Sequence, residues 1–211
     1  MKLLGIACIF LFALTSSLPA QEEYEENSYE LIIAPLLAGS LIVPAGVLSE
    51  IVPLGGGLQA GAQIENLLFR QSVIKLTAGY NSLPIEIENP VADSLTHISF
   101  SLLAGYNFHL SDGISFALLA GGGYLGHIIP ESGSEIFWDP QLKIQTDVCF
   151  RLFPDFSVFV SPDYSIFFEE RNIASFFSLH LGIKTAFHIP LASGQNMYSP
   201  PLPTLSYDRQ S

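Results

Sequence analysis

Residues Gln141–Leu152 alternate without a break: Leu142, Ile144, Thr146, Val148, Phe150 and Leu152 take one parity, and Gln141, Lys143, Gln145, Asp147, Cys149 and Arg151 take the other. Successive side chains of a β-strand point to opposite faces, so a run this long describes a strand with a different solvent on each side. Six segments of the chain repeat the pattern, with large apolar residues on one parity and charged, His, Ser and Gly residues on the other. A transmembrane β-barrel satisfies this pattern, with lipid outside and polar groups inside.

The N-terminus reads as an export signal. Lys2 supplies a positive start, Leu3–Leu14 an apolar stretch, and Thr15–Ala20 a small-residue exit. A spanning helix needs about 20 apolar residues, so residues 1–20 are assigned to a signal peptide cut after Ala20. Cys8 has too short an apolar region before it for a lipoprotein signal, which leaves Cys149 as the one cysteine of the processed chain and a small buried filler. Residues 21–29 form an acidic periplasmic leader, with Glu22, Glu23, Glu25 and Glu26. Residues 30–189 form the barrel, and the proline-rich 190–211 a disordered periplasmic tail.

The formal charge of the 211-residue chain is −12, and it becomes −13 when Lys2 leaves with the signal. That balance excludes nucleic acid, whose phosphates require a basic surface. Charged residues make up only 13% of the chain, about half the usual share of a soluble domain. The polar parity is dominated by Ser, Gly, His and Asn, whereas the outer wall of a soluble barrel would be richer in Lys and Glu. The apolar parity carries Tyr80, Tyr106, Tyr124, Trp138, Tyr164, Phe177 and Phe187, as the aromatic girdles of a membrane barrel do.

Eight segments are long enough to cross a bilayer as tilted strands, which need about 9–11 residues: 30–42, 56–66, 73–87, 95–110, 114–129, 137–152, 156–168 and 175–189. The shortest connections follow the second, fourth and sixth, at Phe69–Gln71, Ser111–Gly113 and Phe153–Asp155. They fall on one end, the periplasmic one in such barrels. Leu-Leu-Ala-Gly recurs at 36–39, 102–105 and 118–121. Carrying its phase from the fourth and fifth strands to the first points Leu36 and Ala38 outward and Pro35 inward, at a bulge.

The polar parity then sends Glu65, Lys75, His97, Lys143, Asp147, Arg151, Asp163, His180 and Lys184 into the lumen. Side chains just fill an eight-strand barrel, so these charges are expected to pair across strands and plug it. All five histidines share that parity and are read as hydrogen-bonded lumen fillers, with no metal and no cofactor. Glu50, Glu86, Glu88, Asp93, Glu131, Glu135, Asp139, Glu169 and Glu170 fall in the outer connections. They read as a solvated acidic rim, and more sharply as a contact surface for divalent cations or basic ligands. Gly121–Gly126 matches G-x-G-x-x-G but lies inside a strand, so it serves bending and close packing and not dinucleotide binding.

The alternating strands, the short turns at 111–113 and 153–155 and the ending His180–Phe187 resemble the small eight-stranded outer-membrane barrels of the OmpA/OmpX/OmpW kind. The resemblance implies an all-β, antiparallel, up-and-down barrel in a bacterial outer membrane. It also implies recognition of the ending by the barrel assembly machinery, although Thr185 stands where an apolar residue is usual and a tail follows. The resemblance is architectural and carries no functional residue. The expected role is structural or surface contact without enzymatic activity; a narrow OmpW-like channel is the alternative, and a lipid-modifying barrel enzyme the third.

Overall fold

A computed structural model describes residues 30–50, 52–86, 93–128, 136–169 and 173–190. The signal and leader assignments lie outside these residues, as do residues 191–211 of the tail and Glu88, Glu131, Glu135 and Glu170; Pro190, assigned to the tail, ends the last strand.

Nine strands follow in chain order: β1 Glu30–Ala45, β2 Gly55–Glu65, β3 Ser72–Pro84, β4 Ser94–Ser111, β5 Ile114–Ile128, β6 Ile136–Phe153, β7 Phe156–Phe168, β8 Ile173–Thr185 and β9 Phe187–Pro190. Each pairs antiparallel with its sequence neighbour from β2 through β8, and β1 closes the wall by pairing with both β2 and β8. A single 3-10 turn, Gly46–Glu50, follows β1. The connections after β2, β4 and β6 share one end with the start of β1 and with β9, where Glu30 pairs with Pro190. The opposite end, reached by β1, β3, β5 and β7, is called the outer end below.

β9 continues β8. Leu36 pairs with Lys184, and the same register resumes at Ile33 and Phe187. The ladder lapses where Pro35 falls opposite Thr185, because proline has no N–H to offer. On the other edge, the Ala186 N–H donates to the Asp155 carbonyl at 2.7 Å, in the turn between β6 and β7.

The outer surface is apolar along every strand. Leu58, Leu76, Leu102, Leu118, Leu142, Ile144, Leu181 and Ile183 all face outward. So do all seven aromatic side chains assigned to the girdles: Tyr80, Tyr106, Tyr124, Trp138, Tyr164, Phe177 and Phe187. In water such a belt would be an aggregation surface; in hydrocarbon it is the matching phase. Ile144 is 60% exposed in the isolated chain while its neighbour Gln145 is 1% exposed, so the parity of β6 divides lipid from lumen.

β1 departs from expectation. Leu36 and Ala38 point inward and pack with Cys149 and Phe159, while Pro35, Leu37 and Gly39 face out. No bulge interrupts β1 against β2. The Leu-Leu-Ala-Gly repeat therefore has opposite phases in β1 and in β4 and β5. A Cβ at Gly39 would meet open space, whereas one at Gly105 or Gly121 would strike the carbonyl oxygen of Leu118 or Leu102 on the paired strand. Only the latter glycines are required by close backbone approach. Gly123 is similarly pressed against Phe100, so the glycine run of β5 serves wall curvature.

The interior also holds more apolar groups than a polar lumen implies. Ile42, Val52, Leu83, Leu125, Phe167 and Phe176 form a cluster at the outer end. Val73, Leu103, Ala117 and Leu119 form another inside β3–β5. Apolar side chains fill space without adding hydrogen-bonding groups that need partners.

Ile144→Arg is expected to lower stability by about 2–4 kcal/mol, the range for a basic residue at the bilayer midplane of such barrels. Ile144→Leu is expected to stay within about 1.5 kcal/mol. Urea titration of protein folded into lipid vesicles measures both; equal losses would place Ile144 away from lipid.

Candidate functional site: the lumen and its outer rim

The inward parity brings most of the expected lumen residues into one buried network. Lys75 on β3 reaches across the barrel to Asp147 on β6, Nζ to Oδ2 2.7 Å, with both side chains shut off from solvent. Gln145 donates to the same carboxylate at 2.7 Å and also bonds Ser161, whose hydroxyl donates to Asp147. The Lys75 ammonium lies 5.1 Å from the centre of the Phe159 ring, adding a cation–π contact. A second centre is Asp163, approached by Lys143 at 3.2 Å and by His180 at 2.5 Å. A third is Glu65, held by Lys184 at 3.4 Å, Gln63 at 2.8 Å and Asn107 at 2.9 Å. Each buried lysine thus faces a carboxylate, as the desolvation cost of a lone charge demands.

Arg151 does not join them. It is exposed near the end of β6, two residues before Phe153, and among the described residues no carboxylate lies within 4.0 Å of it. There it lines a cavity of about 70 Å³ at the short-turn mouth, along with His109 and His188. His188 contacts Glu30 at 3.1 Å in the same exposed region. Water at the mouth removes the need for a buried partner.

Ser40, His180 and Asp163 have the connectivity of a Ser–His–acid relay. The Ser40 hydroxyl lies 2.8 Å from His180 Nδ1, and His180 Nε2 lies 2.5 Å from Asp163. Cross-strand register explains the first contact, since Ser40 and His180 are direct partners of β1 and β8. Geometry and roles, not composition, identify a catalytic triad. The cavity beside Ser40 measures about 20 Å³, room for about one water. Ser40 is also paired with both β2 and β8, so the surrounding backbone N–H groups serve the ladders and do not form an oxyanion hole. The trio packs the lumen.

At the outer end, His97 on β4 and His127 on β5 are direct cross-strand partners, with His127 Nδ1 to His97 Nε2 3.0 Å. The shared inward parity of the histidines does not by itself join these two. His127 Nε2 lies 2.8 Å from Asp139 Oδ2 on β6. Glu169, just after β7, completes a group whose ligand atoms lie within 4.8 Å of one another. Of the remaining expected rim, Glu50, Glu86 and Asp93 are exposed and do not join this group.

The architecture has known counterparts. Neisserial surface protein A superposes with a TM-score of 0.54 at 14% identity, covering 76% of this chain and 98% of that one. Ail, the attachment invasion locus protein of Yersinia pestis, gives 0.50 at 18% identity, covering 76% and 100%. A major outer membrane protein from Thermus thermophilus gives 0.50 at 14% identity, covering 73% and 99%. The chain has the fold of the small eight-stranded outer-membrane β-barrels. Its apolar belt and closed wall place this barrel in the membrane, with the charge network at its centre. No family model matches the sequence, and no curated protein does.

Lys75→Ala is expected to cost about 3–5 kcal/mol, because it strands Asp147 in a dry interior. Lys75→Met combined with Asp147→Leu is expected to recover most of that loss. Vesicle refolding monitored by urea titration tests the pair; a double variant as unstable as the single one would refute the stranded-charge account.

Proposed function

We propose that this barrel is a closed wall element whose role lies in outer-surface contact and not in conduction or catalysis. The observation that carries this reading is the filled lumen. Lys75 and Asp147 bridge its width, and the described cavities beside the network, of about 20 and 70 Å³, lie towards opposite ends. An ion crossing there would have to displace the paired charges of Lys75 and Asp147. A narrow channel, the competing reading, needs a continuous polar path, and the Phe167–Phe176 stack of the outer cluster, with ring centres 4.8 Å apart, narrows that path further.

Surface contact is supported by what remains available at the outer end. Glu50, Glu86 and Asp93 are exposed there, on a chain of formal charge −12, and an acidic rim favours basic partners. Two structural neighbours are named for surface location and for attachment, Neisserial surface protein A and Ail. Hydrophobic residues on the outward parity of His180–Phe187 (Leu181, Ile183 and Phe187) are exposed to lipid, and this ending is the proposed feature for the barrel assembly machinery to recognise.

Refolded protein in planar bilayers is expected to give no discrete conductance steps under conditions in which an open porin conducts. Vesicles carrying it are expected to bind an immobilised basic protein in a salt-sensitive manner. Glu50→Gln, Glu86→Gln and Asp93→Asn together should weaken that binding. Steady channel openings would overturn the closed-lumen reading, and binding indifferent to the triple substitution would overturn the role of the rim.

A further inference from the structure

We propose that the outer end of the lumen is a binding site for a divalent transition-metal ion of the Zn²⁺ type, with His127, Asp139 and Glu169 as ligands and His97 as a positioning residue. The site is independent of whether the barrel contacts a partner or conducts.

Register assembles it. His97, His127, Asp139 and Glu169 come from β4, β5, β6 and the residue following β7, so four successive strands each deliver one side chain to the same place. His127 pairs with Phe137, and Leu125 pairs with Asp139, which puts His127 and Asp139 diagonally adjacent on the inward face. One nitrogen and carboxylate oxygens from three chain segments within 4.8 Å need only small side-chain rotations to meet one ion at bond lengths of about 2.0–2.2 Å.

A second observation concerns the imidazole itself. His127 Nε2 is closed off from solvent and makes no directed hydrogen bond, although Asp139 Oδ2 is only 2.8 Å away. A buried nitrogen beside a carboxylate oxygen, too close to ignore and misaligned for a hydrogen bond, is the arrangement a bridging cation resolves. The other ring nitrogen, Nδ1, is engaged by His97 Nε2 at 3.0 Å. Metal-bound histidines are oriented in this way, through a hydrogen bond at the nitrogen that does not ligate. His97 has that role and is 1% exposed.

The surroundings favour charge. Phe176 lies under His97, ring centres 5.3 Å apart, and Phe167 under His127 at 5.7 Å. This aromatic floor keeps water from screening the carboxylates from below. Among the described residues no Lys or Arg lies within 4.0 Å of Asp139 or Glu169, so the pair carries negative charge without a protein cation. A nitrogen ligand selects Zn²⁺, Ni²⁺ or Cu²⁺ over Ca²⁺ and Mg²⁺, which take oxygen donors. Three protein ligands leave a fourth position open for water or for a donor from another molecule.

Untagged full-length protein folded in detergent tests this by titration calorimetry with Zn²⁺, and with Co²⁺ followed by its visible absorption. One ion per barrel is expected, with Ca²⁺ and Mg²⁺ failing to compete at equal concentration. His127→Ala and Asp139→Asn should each weaken Zn²⁺ binding at least ~10-fold, and His97→Leu about 10- to 100-fold, the range for an orienting partner. His97→Gln, which can still bond Nδ1 of His127, should regain much of the affinity. Heat-dependent gel mobility establishes that each variant is folded. Glu50→Gln, elsewhere on the rim, and His188→Ala, at the opposite mouth, should leave binding unchanged. Absence of saturable Zn²⁺ binding would overturn the proposal. So would affinity that ignores His127→Ala, or that falls equally with Glu50→Gln.

Discussion

Hydrocarbon offers no hydrogen bonds to a polypeptide backbone, and this constraint organises the whole molecule. Every N–H and C=O within the membrane must find a partner in the chain itself, so the sheet must close. Closure falls to β1, which pairs with β2 on one edge and with β8 and β9 on the other. Pro35 interrupts that closure, where the ladder to β8 lapses for lack of a donor. Because the register is the same on both sides of the lapse, the wall absorbs the defect without a shift that would turn side chains to the wrong phase.

A closed wall of eight strand positions leaves an interior that cannot hold bulk water and must be filled by the inward side chains. The filling is layered. Aromatic and aliphatic groups occupy the outer end, the Asp163 centre and the Lys75–Asp147 bridge follow, and the Glu65 centre lies next to the short-turn mouth, which exposed polar groups line. A buried ion pair is weak evidence for stability in itself. Its effect here is on register: sliding β3 by one residue would turn Lys75 into lipid and leave Asp147 alone. The charges penalise wrong pairings that the apolar outer face would tolerate.

The same filling leaves little space at the centre. Ser40, His180 and Asp163 have the order of a catalytic relay, yet the space beside them admits no substrate. At the outer end the inward faces of β4, β5 and β6 and the residue after β7 bring ionisable side chains together. The His97–His127–Asp139–Glu169 group sits there beside the Phe167 and Phe176 rings. Polarity changes there, from the apolar cluster to the ionisable group.

Much of this was legible in the residues alone. The β6 alternation, the outward tyrosines and the short turns at 111–113 and 153–155 identify a membrane barrel, because period-two patterning is a local property of the extended backbone. The inward direction of Lys75, Lys143, Asp147 and Asp163 is legible for the same reason. Their partners are not: Lys75 and Asp147 belong to strands three apart, joined only through curvature of the wall. The phase of β1 was misread because Leu-Leu-Ala-Gly is apolar or small at every position and cannot distinguish lipid from a packed lumen. The histidine pair is not legible from the turn alone, by a single residue. Counting back from the pair Ser111 and Ile114 sets His97 opposite Ile128, and the register shift between His109 and Ser111 brings it opposite His127 instead. Sequence by itself determined the fold class, the membrane-facing belt and the inward direction of the lumen charges other than Arg151, since each follows from alternation along one strand. Only the tertiary structure decided which charges meet, how full the lumen is and what gathers at its rim, because those depend on register between strands, where one bulge changes every neighbour.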